Sequence, residues 1–396
     1  MHAMTDAATE RRQQLELLRT SAAAFATRES PLSRARALRA SAPGFDLRFW
    51  RSLPGQGWTG LLAPEASGGF GQSLSDMAEV AGALAAQVAP EPVTPVMVFA
   101  GRLLEACGPG ELAQRLLAGM VEGRTLPAVA WQEDATGAAS FDPHGRLADP
   151  ATICAAGPGV VRLSGGKRHV RPGAAADGFI VSASSSDGLA LVWLPADAPG
   201  LARQQERQAD GTFVERLAFD QLAVPADHLL CAGARARSAL AGAYDEALVL
   251  ASVELLAIVR RMLALTLDYL RTRKQFGKAI GSFQSLQHRA VDMHIQQELC
   301  AAVVGEALAE LDGGLAGDAR AMLAARVKAR CSDAALAIAR EAVQLHGAVG
   351  FTDEYDLGLY LQRALVLSGW LGNGAVQRRR HALLGRRAGA AAGAHA

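Results

Sequence analysis

The chain has 396 residues, half of them hydrophobic and a fifth charged, with Lys+Arg 40 against Asp+Glu 39. That near-neutral balance argues against nucleic acid as a partner, and the length and hydrophobic fraction fit two or three cored domains rather than a membrane protein. Cys107, Cys154, Cys231, Cys300 and Cys331 form no Cys-x-x-Cys pair, so neither a zinc site nor a disulfide frame is predicted.

No apolar run is long and charge-free enough to span a bilayer. The first twenty residues carry Asp6, Glu10 and Glu16 and lack the apolar core of a signal peptide. A cytoplasmic location is therefore expected.

The spacing predicts a helical N-terminal domain over residues 1–124. In it, Leu74, Met77, Val80, Ala81 and Leu84 form one stripe that Ser73 or Ser75 can cap. Helical periodicity fades over 125–232. Short apolar runs there, such as Gly178–Ala183 and Leu189–Leu194, alternate with Gly, Asp, Ser and Pro turns. Long helical runs return over 233–387, beginning near Ala241. The predicted fold is α+β and multidomain: an all-α N-terminal domain, a central β-barrel or sandwich, and a C-terminal four-helix bundle. Residues 388–396 are of low complexity and read as a disordered tail.

Two strings carry chemistry. The first, Tyr269 to Arg289, follows a long apolar helical run with cations, aromatics, glycine breaks and amides. A guanidinium such as Arg273 pairs with phosphate oxygens, the Phe276 ring offers a face to a base, and Gln284 offers an amide to its edge. Basic residues favouring a helix C-terminus are the plainer account of such a string. The second, Ala342 to Ala364, also breaks a helix at glycines and restarts it.

Together the strings resemble the acyl-CoA dehydrogenase family, whose forms are close to R-x-Q-F-G-x-x-I-x-x-F-Q and Q-x-H-G-G-x-G-F-T-x-E. Phe49–Gly71, Leu163–Val170 and Val224–Leu230 resemble further segments of that family, so the likeness runs from about Leu47 to Ala382. The resemblance implies FAD bound across a subunit interface, with Arg273, Gln275, Phe276, Gln284, Gln344 and Gly347 at its dinucleotide end and Trp131 and Gln132 beside the flavin. It implies an acyl-CoA substrate, an electron-transfer flavoprotein or similar acceptor, and a homo-oligomer or a hetero-oligomer with a sister subunit.

In that family a carboxylate removes the α-proton of an acyl thioester while flavin accepts the β-hydride. This chain departs from the pattern there. Counting from Arg363 places Gly372, which has no side chain, at the usual base position. A minority of the family carries the base on the first helix of the C-terminal bundle. Counting back from Phe276 reaches Ala247, with Glu246 one position away, or about 100° around a helix. Glu254, two turns on, is the second candidate base, and an ion pair with Arg260 or Arg261 is its plainer role. Near the flavin, Gln132 replaces a threonine, His169 an aromatic and Arg171 a hydroxyl residue. His346 reads as a hydrogen-bonding loop residue. Two expectations stand side by side: a dehydrogenase using Glu246, or a catalytically silent subunit of a heteromeric complex.

Overall fold

The computed structural model describes residues 2–393, with side chains from 9 to 387. The expected tail, 388–396, lies outside the residues described with side chains.

The N-terminal part is helical: α1 (His2–Glu29), α2 (Leu32–Leu38), α3 (Leu47–Trp50), α4 (Leu74–Ala86), a π-helical stretch over Thr94–Ala100 that runs into α5 (Gly101–Cys107), and α6 (Glu111–Val121). α4 begins where the stripe predicts. Ser73 and Asp76 form a capping box, and Leu74, Met77, Val80, Ala81 and Leu84 are all buried. Asp312 reaches over from the C-terminal bundle and accepts the Leu74 N–H at 2.9 Å, closing the same helix end from a second domain.

The middle holds eight strands: β1 (Pro127–Ala130), β2 (Ile153–Gly157), β3 (Val160–Val170), β4 (Gly178–Ser185), β5 (Gly188–Pro195), β6 (Ala202–Arg207), β7 (Phe213–Pro225) and β8 (Leu229–Ala232). They form one sheet in the order β6-β7-β3-β2-β4-β5-β8, with β1 added in parallel on β4. Its own core contains Leu163, Phe179, Val181, Val192, Leu194 and Phe219. The register Ala130↔Val181 ends β1 against the middle of β4, and the chain leaves the sheet at Trp131 and Gln132.

Four long or paired helices follow: α7 (Gly233–Thr272), α8 (Gln284–Asp312), α9 (Gly317–His346), and α10 (Leu357–Gly369) with α11 (Gly374–Gly393). α7 is 40 residues long and buried nearly all round over Ala247–Val259, as expected for a helix packed on several sides. It touches α4, α5, α8, α9, α10 and β5, so it is the axle of the molecule. It begins at Gly233, well before Ala241. Glu246 is therefore several turns inside the helix, beyond the reach of the N-terminal dipole.

The five cysteines are all free thiols, yet four of them meet in space. The Cys107 and Cys231 sulfurs lie 2.7 Å apart, and Cys300 hydrogen-bonds Cys331 across α8 and α9. Their separation in sequence gives no hint of this.

Candidate functional site

The candidate site residues fall at the two ends of α7. At the far end the helix stops at Thr272 and the chain makes a short hairpin, β9 (Lys274–Gln275) with β10 (Lys278–Ala279). Its turn is Phe276–Gly277, with φ of 51° and 79°. Two left-handed residues in a two-residue loop are the type I′ geometry, which suits Asn-Gly and is costly for a bulky side chain. The Phe276 ring is 90% exposed. Arg273 and Gln275 are exposed beside it. Arg273, Gln284 and Gln344 have no side-chain partner among the described residues.

The second string arrives at the same end. His346, the last residue of α9, stacks on Tyr269 of α7 at 4.5 Å. Its Nδ1 lies 2.7 Å from the Ala342 carbonyl and its Nε2 3.1 Å from the Tyr355 hydroxyl, and burial lowers its pKa. His346 therefore ties the end of α9 to α7, from a helix end rather than from the loop the sequence suggests. Gly347 follows at φ 65°, exposed, with open space where a Cβ would stand. Residues about seventy apart in sequence therefore share one exposed surface. It continues onto α8, where Val291, Ile295 and Leu299 expose an apolar stripe at four-residue spacing.

At the near end of α7 lie Trp131 and Gln132. The Trp131 ring meets Tyr244 edge-on at 4.9 Å, and Gln132 is buried with its amide donating to the Asp134 carbonyl at 2.9 Å. Tyr244 is fully buried, with Phe99 and Phe141 also around its ring. From Tyr244 to Thr272 α7 rises roughly 40 Å. One dinucleotide cofactor cannot touch both ends within a single chain.

The candidate base positions are all committed. Glu246 accepts from Arg102 Nε of α5 at 2.8 Å in a half-buried ion pair. Glu254, 7% exposed, accepts from Thr94 Oγ1 at 2.5 Å and from Arg363 Nη2 at 3.4 Å. Its partner is Arg363 of α10 rather than Arg260 or Arg261, because α7 turns that face toward α10 and the π-helical stretch. Arg363 also donates to Asp210 at 2.9 Å, and Thr212 Oγ1 donates to the other Asp210 oxygen at 2.6 Å. Burial pushes Asp210 up, but Arg363 and Arg171 outweigh it and hold the carboxyl below its usual range. Arg171 stands nearby, pulled down to about 10 by burial and by Arg363 against the opposing pull of Asp210. The cavity lined by Glu254, Arg363, Arg171 and Trp370 measures about 30 Å³, room for a water or two and not for an acyl chain.

Gly372 sits in a loop held from below. Leu371 and Gly372 both have positive φ, 60° and 88°. The Leu371 carbonyl accepts from Tyr244 Oη at 2.5 Å and from Gln377 Nε2 at 2.6 Å. Lys328 of α9, fully buried, donates to Ser332 Oγ at 2.9 Å, to the Ser368 carbonyl at 3.1 Å and to the Gly372 carbonyl at 3.4 Å. Burial without a carboxylate in contact pushes Lys328 down to about 7. A Cβ on Gly372 would stand 3.0 Å from both Gln377 Nε2 and Val376 Cγ1. The sequence reading missed Lys328 and Asp210. Lys328 was findable, since it falls on the buried spacing of Ala324, Ala325, Val327 and Cys331. Asp210, in a polar turn, gave no signal.

A larger cavity of about 360 Å³ opens between the β-domain loop at Gly145–Leu147 and the helices. Arg146, Arg237, Arg320 and Arg380 line it against Asp245 and Asp318, and Arg380 Nη1 is buried without a partner. No helix of the described residues is long and apolar enough to cross a membrane, and none of their acidic, His or Cys groups clusters as a metal site.

The comparisons agree with this architecture. The family description "Acyl-CoA dehydrogenase, N-terminal domain" matches residues 12–124, and "Acyl-CoA dehydrogenase, C-terminal domain" matches 238–383. Acyl-CoA dehydrogenase IpdE2 of Mycobacterium tuberculosis is 30% identical over 353 residues, covering 89% of this chain and 91% of its own. The Tcur3481-Tcur3483 steroid ACAD, solved as a variant, superposes with a TM-score of 0.85 at 27% identity, covering 96% of this chain and 99% of that one. Butyryl-CoA dehydrogenase of Megasphaera elsdenii superposes with a TM-score of 0.81 at 23% identity, covering 93% and 97%, which is a likeness of fold. The chain belongs to the acyl-CoA dehydrogenase family of oxidoreductases acting on CH–CH groups.

Proposed function

We propose that this chain is the catalytically silent subunit of a heteromeric acyl-CoA dehydrogenase, presenting the diphosphate and adenine end of FAD to a sister subunit. The observation that carries this reading is the closed cluster of Arg363, Asp210 and Glu254 around a void of about 30 Å³. A base must be free to take a proton, and a carboxylate pinned by a buried guanidinium and a threonine hydroxyl is not.

The residues fit one half of the cofactor. Arg273 would pair with the diphosphate, the strained Phe276 would offer its face to the adenine, and Gln275, Gln284, Gln344 and Gly347 would complete the surface. Trp131 and Gln132 are spent on Tyr244 and on Asp134, so the flavin ring would rest on the sister subunit. When bound, FAD supplies the hydride acceptor for the β-hydrogen, and the sister subunit's carboxylate would take the α-proton. The electrons would pass to an electron-transfer flavoprotein or similar acceptor. The exposed stripe Val291, Ile295 and Leu299, adjoining the hairpin through α8, is a surface a second subunit would cover. The two-part name of the Tcur3481-Tcur3483 steroid ACAD is in keeping with two kinds of chain.

One observation favours the other reading, a dehydrogenase active on its own. The cation-rich cavity of about 360 Å³ suits the phosphorylated end of an acyl-CoA. The test is absorbance of the protein purified alone and with a co-expressed sister subunit, each titrated with a panel of acyl-CoA thioesters. The chain alone is expected to stay unbleached, and the complex to bleach at a rate unchanged by Glu246→Gln or Glu254→Gln here. Bleaching of the chain alone, abolished by either substitution, would overturn the proposal.

A further inference from the structure

We propose that Cys107 and Cys231 are a modification site, a dithiol that hydroperoxides oxidise to a disulfide joining α5 to β8. Cys107 is the last residue of α5, and Cys231 lies in β8, which pairs with β5 through Leu191. Their sulfurs are 2.7 Å apart, so bond formation at about 2.05 Å needs a shift of well under an ångström.

The two thiols are not equivalent. Cys107 is buried, while Cys231 is partly exposed. Hydrogen bonding with Cys107 and the nearby Arg235 favour the Cys231 thiolate, and the same contact holds Cys107 protonated. The thiol of the partly exposed Cys231 is therefore the nucleophile and that of the buried Cys107 the resolving thiol. The residues just before Cys231, Leu229 and Leu230, line a cleft of about 130 Å³ together with Glu111, Asp227 and Arg115.

The chemistry balances. The Cys231 thiolate attacks the distal oxygen of the hydroperoxide. An S–O bond forms, the O–O bond breaks, and the departing alkoxide or hydroxide takes a proton from water. Cys107 then attacks the Cys231 sulfur, its proton leaving with the hydroxyl as water. The two sulfurs together lose two electrons, and the hydroperoxide gains them. The bond would tie the N-terminal helices to the strand that feeds α7. It would also brace the contact in which Arg102, on the same short helix, holds Glu246. Cys300 and Cys331 are a built-in control: they also hydrogen-bond each other, but both are fully buried between α8 and α9.

The experiment is graded hydrogen peroxide on the full chain in its purified assembly, then alkylation and peptide mass spectrometry. The expected result is a linked Cys107–Cys231 peptide, with Cys300 and Cys331 still reduced. Thermal unfolding should rise by roughly 4–8 °C, reversed by dithiothreitol, as for a cross-link closing a long loop. Cys231→Ser should leave Cys107 reduced, and Cys107→Ser should leave a Cys231 sulfenic acid that dimedone traps. If Cys231 stays reduced while an added small thiol is oxidised, or if it links to a cysteine of another chain, the proposal fails. Should either serine variant not fold, the peptide map of the unaltered protein decides alone. None of these outcomes depends on whether the chain is catalytically silent.

Discussion

The two ends of α7 differ in one respect that decides what each can bind. At the near end the candidate bases and their neighbours are paired within the chain: Glu246 with Arg102, Glu254 and Asp210 with Arg363, and Lys328 with three oxygens. At the far end Arg273, Gln284 and Gln344 are exposed with no side-chain partner among the described residues, and the exposed Phe276 ring has only an edge contact with Phe283. A folded chain that satisfies its own polar groups has closed a site. One that leaves a guanidinium, a strained aromatic and two amides exposed at one helix end has polar groups there for water or, on the proposed reading, for FAD.

The largest expected effect comes from breaking the closed end. Arg363→Ala removes the guanidinium shared by Asp210 and Glu254, leaving two buried carboxylates facing each other's charge. The expected loss is about 3–5 kcal/mol of folding stability, read by chemical denaturation. Because the cluster holds Asp210 below its usual range, its contribution is present above the unfolded carboxyl's pKa and is lost as pH falls through the lower folded value. The Arg363→Ala variant should lack that acid-side loss. A variant as stable as the parent would mean the cluster is not holding the near end shut.

At the open end, Arg273→Ala should leave stability unchanged, since the side chain has no partner among the described residues. FAD affinity of the assembled complex should fall by about 2–3 kcal/mol, or roughly 30- to 150-fold, the worth of hydrogen bonds to a charged group. The measurement is a flavin titration followed by fluorescence. Unchanged affinity would remove Arg273 from the diphosphate and the comparison with it.

The two ends were unequally legible in the sequence. The open end is written in local strings whose residues lie close along the chain, so Arg273 to Gln284 could be read as one surface. The layout of helices, sheet and bundle was legible for a similar reason: periodicity changes near residues 125 and 233 are local signals. The closed end is built from Thr94, Arg171, Asp210, Glu254 and Arg363, which five separate elements bring together. No spacing rule joins those positions. The sequence suggested Arg260 or Arg261 for Glu254 because helix neighbours are the only partners a single helix reveals. It placed Glu246 near a helix start because the added turns, Gly233–Leu240, are rich in Ala and Arg without an apolar stripe.

Lys328 tests whether the closed end tolerates charge at all. Burial depresses its pKa to about 7, so between about 7 and the unfolded value near 10.5 the unfolded chain binds more protons than the folded one. Stability should therefore rise with pH across that window, by at most about 1.4 kcal/mol per pH unit. Below the lower value the full penalty of burying the charge remains. Lys328→Met should flatten the slope without altering FAD affinity, as measured by denaturation between pH 7 and 10. A slope that persists in the variant would place the titrating group elsewhere.

The smallest effect is the most pointed, because it should move stability and binding in opposite directions. Phe276 occupies the first position of a type I′ turn at φ 51°, where asparagine followed by glycine is the preferred pair. Gly277 already supplies the second residue. Phe276→Asn should therefore relieve backbone strain and stabilise the chain by about 0.5–1 kcal/mol, since the ring is 90% exposed and its loss forfeits little packing beyond an edge contact with Phe283. The same change removes a flat apolar face and should weaken FAD binding by about 1 kcal/mol, the scale of a single aromatic contact. An ordinary surface loop would gain the stability and lose nothing else. A protein that keeps phenylalanine at a position where asparagine folds better has a use for the ring, and a loss of both stability and affinity would show instead that Phe276 serves the hairpin alone.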